Sequence, residues 1–268
     1  DTYTIPKQNY ARWILSKVNW RGDEVVLDAG CGTGHYANAL SQMYPGIRYY
    51  GSDLSLGILA EHPTRGHACQ CDVTSLAYPD NSFDVVMAHH MLYHVPDIDA
   101  AVRELRRVLR PGGILMAATS SIHTMPELQL LLRRAITMLS DAPPTALSVP
   151  GTISELFALE NGLRLLSRHF YAVVRYDLPN ALIFPTVAPA LDYMDSVRDI
   201  YEAQLPDDVA WDDMIAIMQQ QFDLLIERLG HLQINKLSGV LVASDDGGFI
   251  QPFVEMQQAR HHGTAGLL

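Results

Sequence analysis

The stretch Val25-Val26-Leu27-Asp28-Ala29-Gly30-Cys31-Gly32-Thr33-Gly34 decides the fold of this 268-residue chain. An apolar run reaches an acid, then three glycines at alternate positions, and residues 36–44 follow with a helical pattern closed by Pro45-Gly46. A strand that ends in a glycine turn ahead of a helix opens an α/β unit. Glycine at such a turn permits positive φ and lets a ligand approach the backbone beside a helix N-terminus. The spacing is G-x-G-x-G, not the G-x-G-x-x-G of dinucleotide-binding folds, and an acid stands before it.

Working outward, residues 47–52, 66–71 and 83–88 read as the second, third and fourth strands, the last almost wholly apolar and so expected to be buried on both faces. Residues 97–109 form an amphipathic helix stopped by Pro111-Gly112-Gly113, and 114–118 supply a fifth strand. Alternation of this kind predicts a parallel sheet covered on both sides. Asp53 closes the second strand, where two carboxylate oxygens match a vicinal diol; a helix N-cap ahead of Leu54-Ser55 is the plainer role, and one residue can fill both. Asp72-Val73 follows the third strand, an acid for an exocyclic amine beside an apolar residue for a flat ring. All three acids stand at carboxyl ends of strands, where open α/β sheets bind ligands. One nucleoside-bearing cofactor accounts for them together.

The second half has another character. A helix is expected over 126–140, a loop at Pro143-Pro144, a helix over 153–160 ended by Asn161-Gly162, and a strand over 169–176. Residues 186–230 read as two or three acidic helices with breaks near Pro189 and Pro206. A strand follows over 236–243, then a hairpin-like turn at Asp246-Gly247-Gly248 into Phe249-Ile250. The layout is a cofactor-binding core at 1–120, helical caps at 121–150 and 177–235, sheet completion by 151–176 and 236–250, and a tail at 251–268. The cap's Met125, Met138, Phe184, Tyr193, Met194, Tyr201, Met214, Met218 and Phe222 recur at helical spacing, and core packing is their default role.

The formal charge of −11 is uneven: residues 1–120 hold 12 acids against 10 bases, while 177–230 hold 11 acids against Arg198 and Arg228. Polyanions need clustered Lys and Arg, so nucleic acid and anionic membranes are poor partners. No apolar run approaches a membrane span and no signal-peptide pattern opens the chain. Three cysteines without paired spacing fit a reducing cytoplasm, with Cys69 and Cys71 expected in the core of the third strand. The chain starts at Asp1 rather than Met, as a trimmed N-terminus would.

These residues resemble the class I S-adenosylmethionine-dependent methyltransferases, in particular the type 11-like bacterial enzymes that act on small molecules. The glycine loop is similar to their first motif, and Asp53 and Asp72 match the acids after strands two and three. Phe83-Asp84-Val85-Val86 and Leu109-Arg110-Pro111-Gly112-Gly113 match later motifs. The run from Ala88 to Asp97 and the run His123-Thr124-Met125-Pro126-Glu127-Leu128 are also similar to theirs. The resemblance is firm over 10–120 and looser beyond. It implies a seven-stranded Rossmann-like sheet with helices on both faces and a helical substrate cap, and S-adenosylmethionine as methyl donor. It places Asp28, Gly30, Gly32 and Gly34 around the methionine part, Asp53 on the ribose, Leu54, Asp72 and Val73 on the adenine, His89 beside the sulfonium, and Tyr10 over the methionine carboxylate. His35-Tyr36 departs from the apolar or aromatic residue common there, which leaves that edge open.

Methyl transfer is a direct displacement, so alignment is the main task, and an alcohol or phenol acceptor also gains from a base of pKa near the working pH. His90 and His94 are the candidates, with Tyr93 between them and His123 and Glu127 as further candidate lining of the acceptor pocket. Each has a plainer role: a core histidine bonded to backbone, a loop histidine, a helix N-terminal acid. The His90/His94 spacing would also suit a metal pair, but no third ligand is placed, so no metal site is expected. The acceptor is expected to be a small molecule methylated on oxygen or nitrogen, such as a cationic natural-product intermediate drawn to the acidic cap. A nicotinamide-dependent oxidoreductase and a non-catalytic S-adenosylmethionine-binding module are the alternatives. The oligomeric state is not legible.

Overall fold

A computed structural model describes residues 2–63, 67–143, 145–147, 150 and 155–249. Eight strands form one sheet in the order β1-β7-β8-β6-β5-β2-β3-β4. They are β1 (Thr4–Ile5), β2 (Val25–Ala29), β3 (Arg48–Asp53), β4 (Ala68–Gln70), β5 (Phe83–Met87), β6 (Leu109–Ser120), β7 (Ala172–Phe184) and β8 (Leu232–Ser244). Seven make the expected sheet, and the two-residue β1 adds to β7 antiparallel, Thr4 opposite Leu182. The pairs β2–β3, β2–β5, β3–β4 and β5–β6 are parallel, with Asp28 in register with Gly51 on one side and Met87 on the other. Strand order thus reverses at β2: the chain adds β3 and β4 on one side, then returns to place β5 on the other. That reversal opens a crevice at the carboxyl ends of the strands.

The chain divides into two compact units. The larger holds residues 9–122, 154–177 and 239–268. Every residue of β2 is buried, and its Val26 packs with Ile14, Leu15, Leu40, Val85, Met87, Met116, Val240 and Val242. Helices α1 (Tyr10–Leu15), α2 (His35–Met43), α3 (Leu56–Leu59), α4 (Ile98–Val108) and α6 (Leu159–Leu166) belong here. In α4, Asp97 caps the N-terminus by accepting from Ala100 N–H, while Arg106 and Arg107 sit in the last turn, each in the sense favoured by the helix dipole. Arg107 ties the loop before β5 to α4 through Glu104, Asp80 and the carbonyls of Leu76 and Tyr78. The smaller unit holds residues 1–8, 123–153 and 178–238. Its helices are α5 (Pro126–Leu139), α7 (Val187–Ser196), α8 (Arg198–Glu202) and α9 (Trp211–Leu229). Their shared core contains Leu128, Leu132, Met194, Met214, Met218 and Phe222.

Several expectations are corrected. Asn161-Gly162 does not end a helix; it lies in the first turn of α6, which begins at Leu159. The Asn161 carboxamide accepts from Ala158 N–H, so this residue starts the helix it was expected to stop. Gly162 is needed for packing, because a Cβ there would meet Leu241 Cδ1 at 2.9 Å. Residues 153–154 of the expected helix lie outside the described residues. Pro189 does not break α7; it lies in the first turn, where no intrahelical N–H is lost. Strand β6 starts at Leu109 and runs through Pro111-Gly112-Gly113, so the helix stop and the strand start coincide. Gly247–Phe249 is a short 3-10 turn, not a hairpin, and Ile250 with the tail falls outside the described residues. Cys69 and Cys71 are only half-buried, and Cys71 lies beyond β4. Of the cap's Met and aromatic residues, Met138 alone is exposed, and Tyr193 is partly buried. No helix among the described residues is long and apolar enough to cross a membrane.

Candidate functional site

In the larger unit a cavity of about 500 Å³ opens at the carboxyl ends of β2, β3, β4 and β5. That volume falls in the usual range for small-ligand sites. Asp53 and Asp72 supply carboxylates, and Leu54, Ile58, Val73, Met91 and Val95 supply apolar wall. His90 and His94 line the same cavity, as does Cys71.

Asp53 is oriented by backbone. One oxygen accepts from Gly32 N–H and the other from Ser55 N–H, both at 2.9 Å, so each keeps lone-pair capacity for a second donor. Ser55, not Asp53, caps α3, through its hydroxyl and Ile58 N–H. Asp72 spends one oxygen on Thr74, accepting from its N–H at 2.8 Å and its hydroxyl at 2.7 Å. Those bonds hold its pKa below the usual carboxylate range.

The three loop glycines do different work. All have positive φ, +73° at Gly30, +53° at Gly32 and +78° at Gly34. A Cβ on Gly30 would meet Met91 at 2.7 Å, and one on Gly34 would meet Pro63 at 2.6 Å and His62 at 2.8 Å. Gly30 and Gly34 therefore make room for protein. Gly32 is the open one, with only Ile58 at 3.9 Å from such a Cβ.

Beneath the loop, Asp28 is 1% exposed, and its Oδ2 accepts from the Tyr49 hydroxyl at 3.0 Å while its Oδ1 is buried without a partner. Burial, with the charge of Asp53 adding to it, pushes its pKa up to about 7, against the hydrogen bond from Tyr49. His89 is likewise buried. Its Nδ1 accepts from Ala118 N–H at 3.2 Å, which puts the proton on Nε2, and that atom has no hydrogen-bond partner. Burial, helped by His90, holds its pKa down at about 3, so the ring is neutral. Tyr36 packs on it with ring centroids 4.4 Å apart, which fills the edge left open at His35-Tyr36.

The structure thus brings Asp53, Leu54, Asp72, Val73, Gly30, His90 and His94 onto one cavity. Tyr10 reaches the same place indirectly: its hydroxyl is 2.9 Å from His90 Nε2. His90 takes the left-handed conformation, φ +54°, a strained choice for a side chain at the end of a strand. His94 is exposed on a separate 3-10 turn, Leu92–His94, so the two histidines do not share a helical turn. Tyr93 is half-buried with its ring on His94, and it is not among the cavity's lining residues. Glu127 and His123 belong to the smaller unit. The Glu127 carboxylate is engaged by Asn235, through its backbone N–H at 2.9 Å and its side-chain amide, and His123 is exposed. Ile58, Met91, Tyr49 and His62 were not singled out from sequence. Only the alternation of Tyr49 with Gly51 along β3 hints that its side chain shares a face with the loop.

Residues 27–117 match the family described as a methyltransferase domain. Over these residues, about a third of the chain, it is similar to methyltransferase domains. The malonyl-[acyl-carrier protein] O-methyltransferase of Methylovorus sp. is 33% identical over 123 residues, 41% of this chain and 42% of that protein. The ubiquinone/menaquinone biosynthesis C-methyltransferase of Desulfotalea psychrophila is 33% identical over 111 residues, 40% of this chain and 45% of that protein. The chain thus spans less than half the length of these curated relatives. The YcgJ protein of Bacillus subtilis shares the fold, with a TM-score of 0.55 and 18% identity over 88% of this chain and 98% of that one. S-adenosylmethionine is the methyl donor of class I methyltransferases. The residues present suit it chemically: two carboxylates in an apolar cavity, an open glycine, and a buried unpartnered carboxylate oxygen beneath the loop.

Proposed function

We propose that this methyltransferase transfers the methyl group of S-adenosylmethionine to an oxygen or nitrogen of a small molecule. The observation that supports this most is the pair Asp53 and Asp72 on one apolar cavity, Asp53 with lone-pair capacity left on two backbone-bonded oxygens and Asp72 with only one oxygen committed to Thr74. When bound, the donor supplies an electrophilic methyl group on a positively charged sulfur.

The chain's residues hold and align it. Asp53, fixed by Gly32 and Ser55, accepts from the ribose hydroxyls, and Leu54 packs on the adenine. Asp72 Oδ2 accepts from the exocyclic amine beside Val73. Gly32 admits the methionine part closest to the backbone, with Gly30, Gly34 and Asp28 shaping the loop. His89, kept neutral by burial, brings no positive charge toward the sulfonium. For an alcohol acceptor, His90 and His94 are the proton-accepting candidates, with Tyr10 orienting His90. Tyr93, His123 and Glu127 remain candidates for acceptor contact. The acceptor we favour is cationic, such as a natural-product amine, because the smaller unit holds 13 acids against 6 bases. Among its described residues Arg198 forms ion pairs with Glu202 and Asp212.

Calorimetry with S-adenosylmethionine and its demethylated product tests the donor. Micromolar-range binding is expected. Heat from neither ligand overturns the proposal, and tighter binding of NADH would favour an oxidoreductase. Asp53→Ala should weaken binding by roughly 100-fold, since it removes an acceptor and also frees two backbone N–H groups. A radiolabelled transfer screen over amines, phenols and sugars then identifies the acceptor; transfer to none of them would favour a non-catalytic binding module.

A further inference from the structure

Two residues outside the glycine loop are linked to its buried acid, one directly and one through the other. Tyr49, on β3, donates to Asp28 Oδ2 at 3.0 Å, and the same hydroxyl lies 3.2 Å from His62 Nε2. His62 follows α3, is 2% exposed, and faces Gly34, where an added Cβ would lie 2.8 Å from its Nε2. The line Asp28–Tyr49–His62 therefore runs from the end of β2, across β3, to the last glycine of the loop.

A phenol has one proton, which makes the direction of this line informative. While Asp28 is ionised, Tyr49 donates to it, and His62 Nε2 must carry the proton that bonds to the phenol oxygen. When Asp28 carries a proton on Oδ2, it donates to Tyr49, and the phenol turns its own proton to His62 Nε2, which must then be bare. One carboxyl proton thus sets the direction of two hydrogen bonds and the proton position on the ring against Gly34. Meanwhile Asp28 Oδ1 has no partner, and a buried acceptor of that kind is costly unless a ligand supplies a donor or a positive charge.

We propose that Tyr49 and His62 are positioning residues for the donor site, orienting the Asp28 carboxyl so that binding of a cationic donor drives off its proton. The proposal rests on the methyl-donor reading above. In the empty site Asp28 holds a proton. As the donor's positive charge arrives, the Asp28 O–H bond breaks with its electron pair staying on the carboxylate. The Asp28 proton passes to the Tyr49 oxygen as the Tyr49 proton passes to His62 Nε2, and the proton on His62 Nδ1 leaves to buffer. Tyr49 then donates to the carboxylate and His62 to Tyr49. Groups that face Asp28 are Tyr49 and Asp53 from β3, Cys31 from the loop, Tyr36 from α2 and His62 after α3. Burial disfavours a charge on Asp28, and Asp53 adds to that, which is why the proton is present to be lost near neutral pH.

The test is proton-linkage calorimetry of S-adenosylmethionine in buffers of differing ionisation enthalpy, at pH 6.0 and pH 8.5. S-adenosylhomocysteine, which lacks the sulfonium charge, serves as control. Nearly one proton should be released per S-adenosylmethionine at pH 6.0, few or none at pH 8.5, and fewer with the homocysteine ligand. Asp28→Asn, nearly isosteric, should abolish the release and weaken S-adenosylmethionine roughly 10–100-fold. Tyr49→Phe should weaken it several-fold at pH 7 and move proton release to higher pH, because Asp28 loses the hydrogen bond that favours its ionised form. His62→Phe keeps the bulk against Gly34 and should produce a smaller shift in the same direction. Release at pH 6.0 that survives Asp28→Asn, or a pH profile unmoved by Tyr49→Phe, overturns the proposal. Heat from neither ligand at either pH instead overturns the methyl-donor reading, so the two failures are distinct.

Discussion

The two compact units bury unpartnered polar atoms of different kinds, ionisable in the larger and amide in the smaller. The larger buries Asp28 and His89 with one atom of each unpartnered, beneath and beside a glycine loop. The smaller leaves only amide atoms of Gln129, Asn180 and Gln221 buried without a partner in a core of leucine, methionine and aromatic side chains, and its composition is acidic at 13 acids against 6 bases. An unpartnered buried charge-bearing group costs stability, so it persists where something else repays it. The contrast is one of charge: the larger unit buries groups that can ionise, and the smaller buries amides and has an acidic composition.

The comparison can be broken most directly by truncating each interior. Met218→Ala in the smaller unit removes a fully buried side chain and should cost about 2–5 kcal/mol in denaturant unfolding. S-adenosylmethionine heat per folded molecule should stay unchanged; weakened binding would show that the division of labour is wrong. Gly34→Ala should cost about 2–4 kcal/mol, because a left-handed φ and contact with His62 and Pro63 act together. Gly32→Ala carries the strain but meets open space, so it should cost less stability and more donor affinity.

Asp28→Asn sharpens the contrast through pH. Burial raises the folded-state pKa to about 7 from an ordinary value of 3.8, so the native state holds the proton more tightly than the unfolded chain. Stability from this group is full below pH 4 and is lost as pH rises through 7. The asparagine variant should therefore gain on wild type by on the order of 2–4 kcal/mol at pH 8 relative to pH 4, read from denaturant midpoints. His89 acts with the opposite sign: its folded pKa of about 3 lies below the ordinary 6.5, so its contribution is present above pH 6.5 and lost as pH falls toward 3. A flat pH response in both Asp28→Asn and His89→Gln would remove the claimed difference between the units. The smallest effect belongs to the external field: kcat/KM for a cationic acceptor should fall a few-fold from about 50 to 500 mM salt. A salt-independent value would leave the acidic surface of the smaller unit without a part in acceptor capture.

Much of the site was legible because its signals are local. Asp53, Leu54, Asp72 and Val73 each follow a short strand, and parallel strands bring their carboxyl ends to one edge whatever the register. Asn161-Gly162 shows the limit of such signals. The pair carries the same composition at either end of a helix, and the bond to Ala158 N–H, with Leu241 close over Gly162, placed it at the start. Gly30 and Gly34 show it again: both were expected around a ligand and Gly30 lines the cavity, but the side chains that would meet a Cβ there, Met91, His62 and Pro63, come from elsewhere in the chain.

Sequence alone therefore determined the α/β class, the glycine turn and the acids at the strand ends, since these follow from periodicity of 2 or 3.6 and from turn chemistry within a few residues. Only the tertiary structure decided which glycine stays open, that Asp28 is buried and His89 neutral, and that Tyr49 reaches the loop acid with His62 behind it. Those properties depend on desolvation and on contacts between residues 13 to 61 positions apart, which no local pattern encodes.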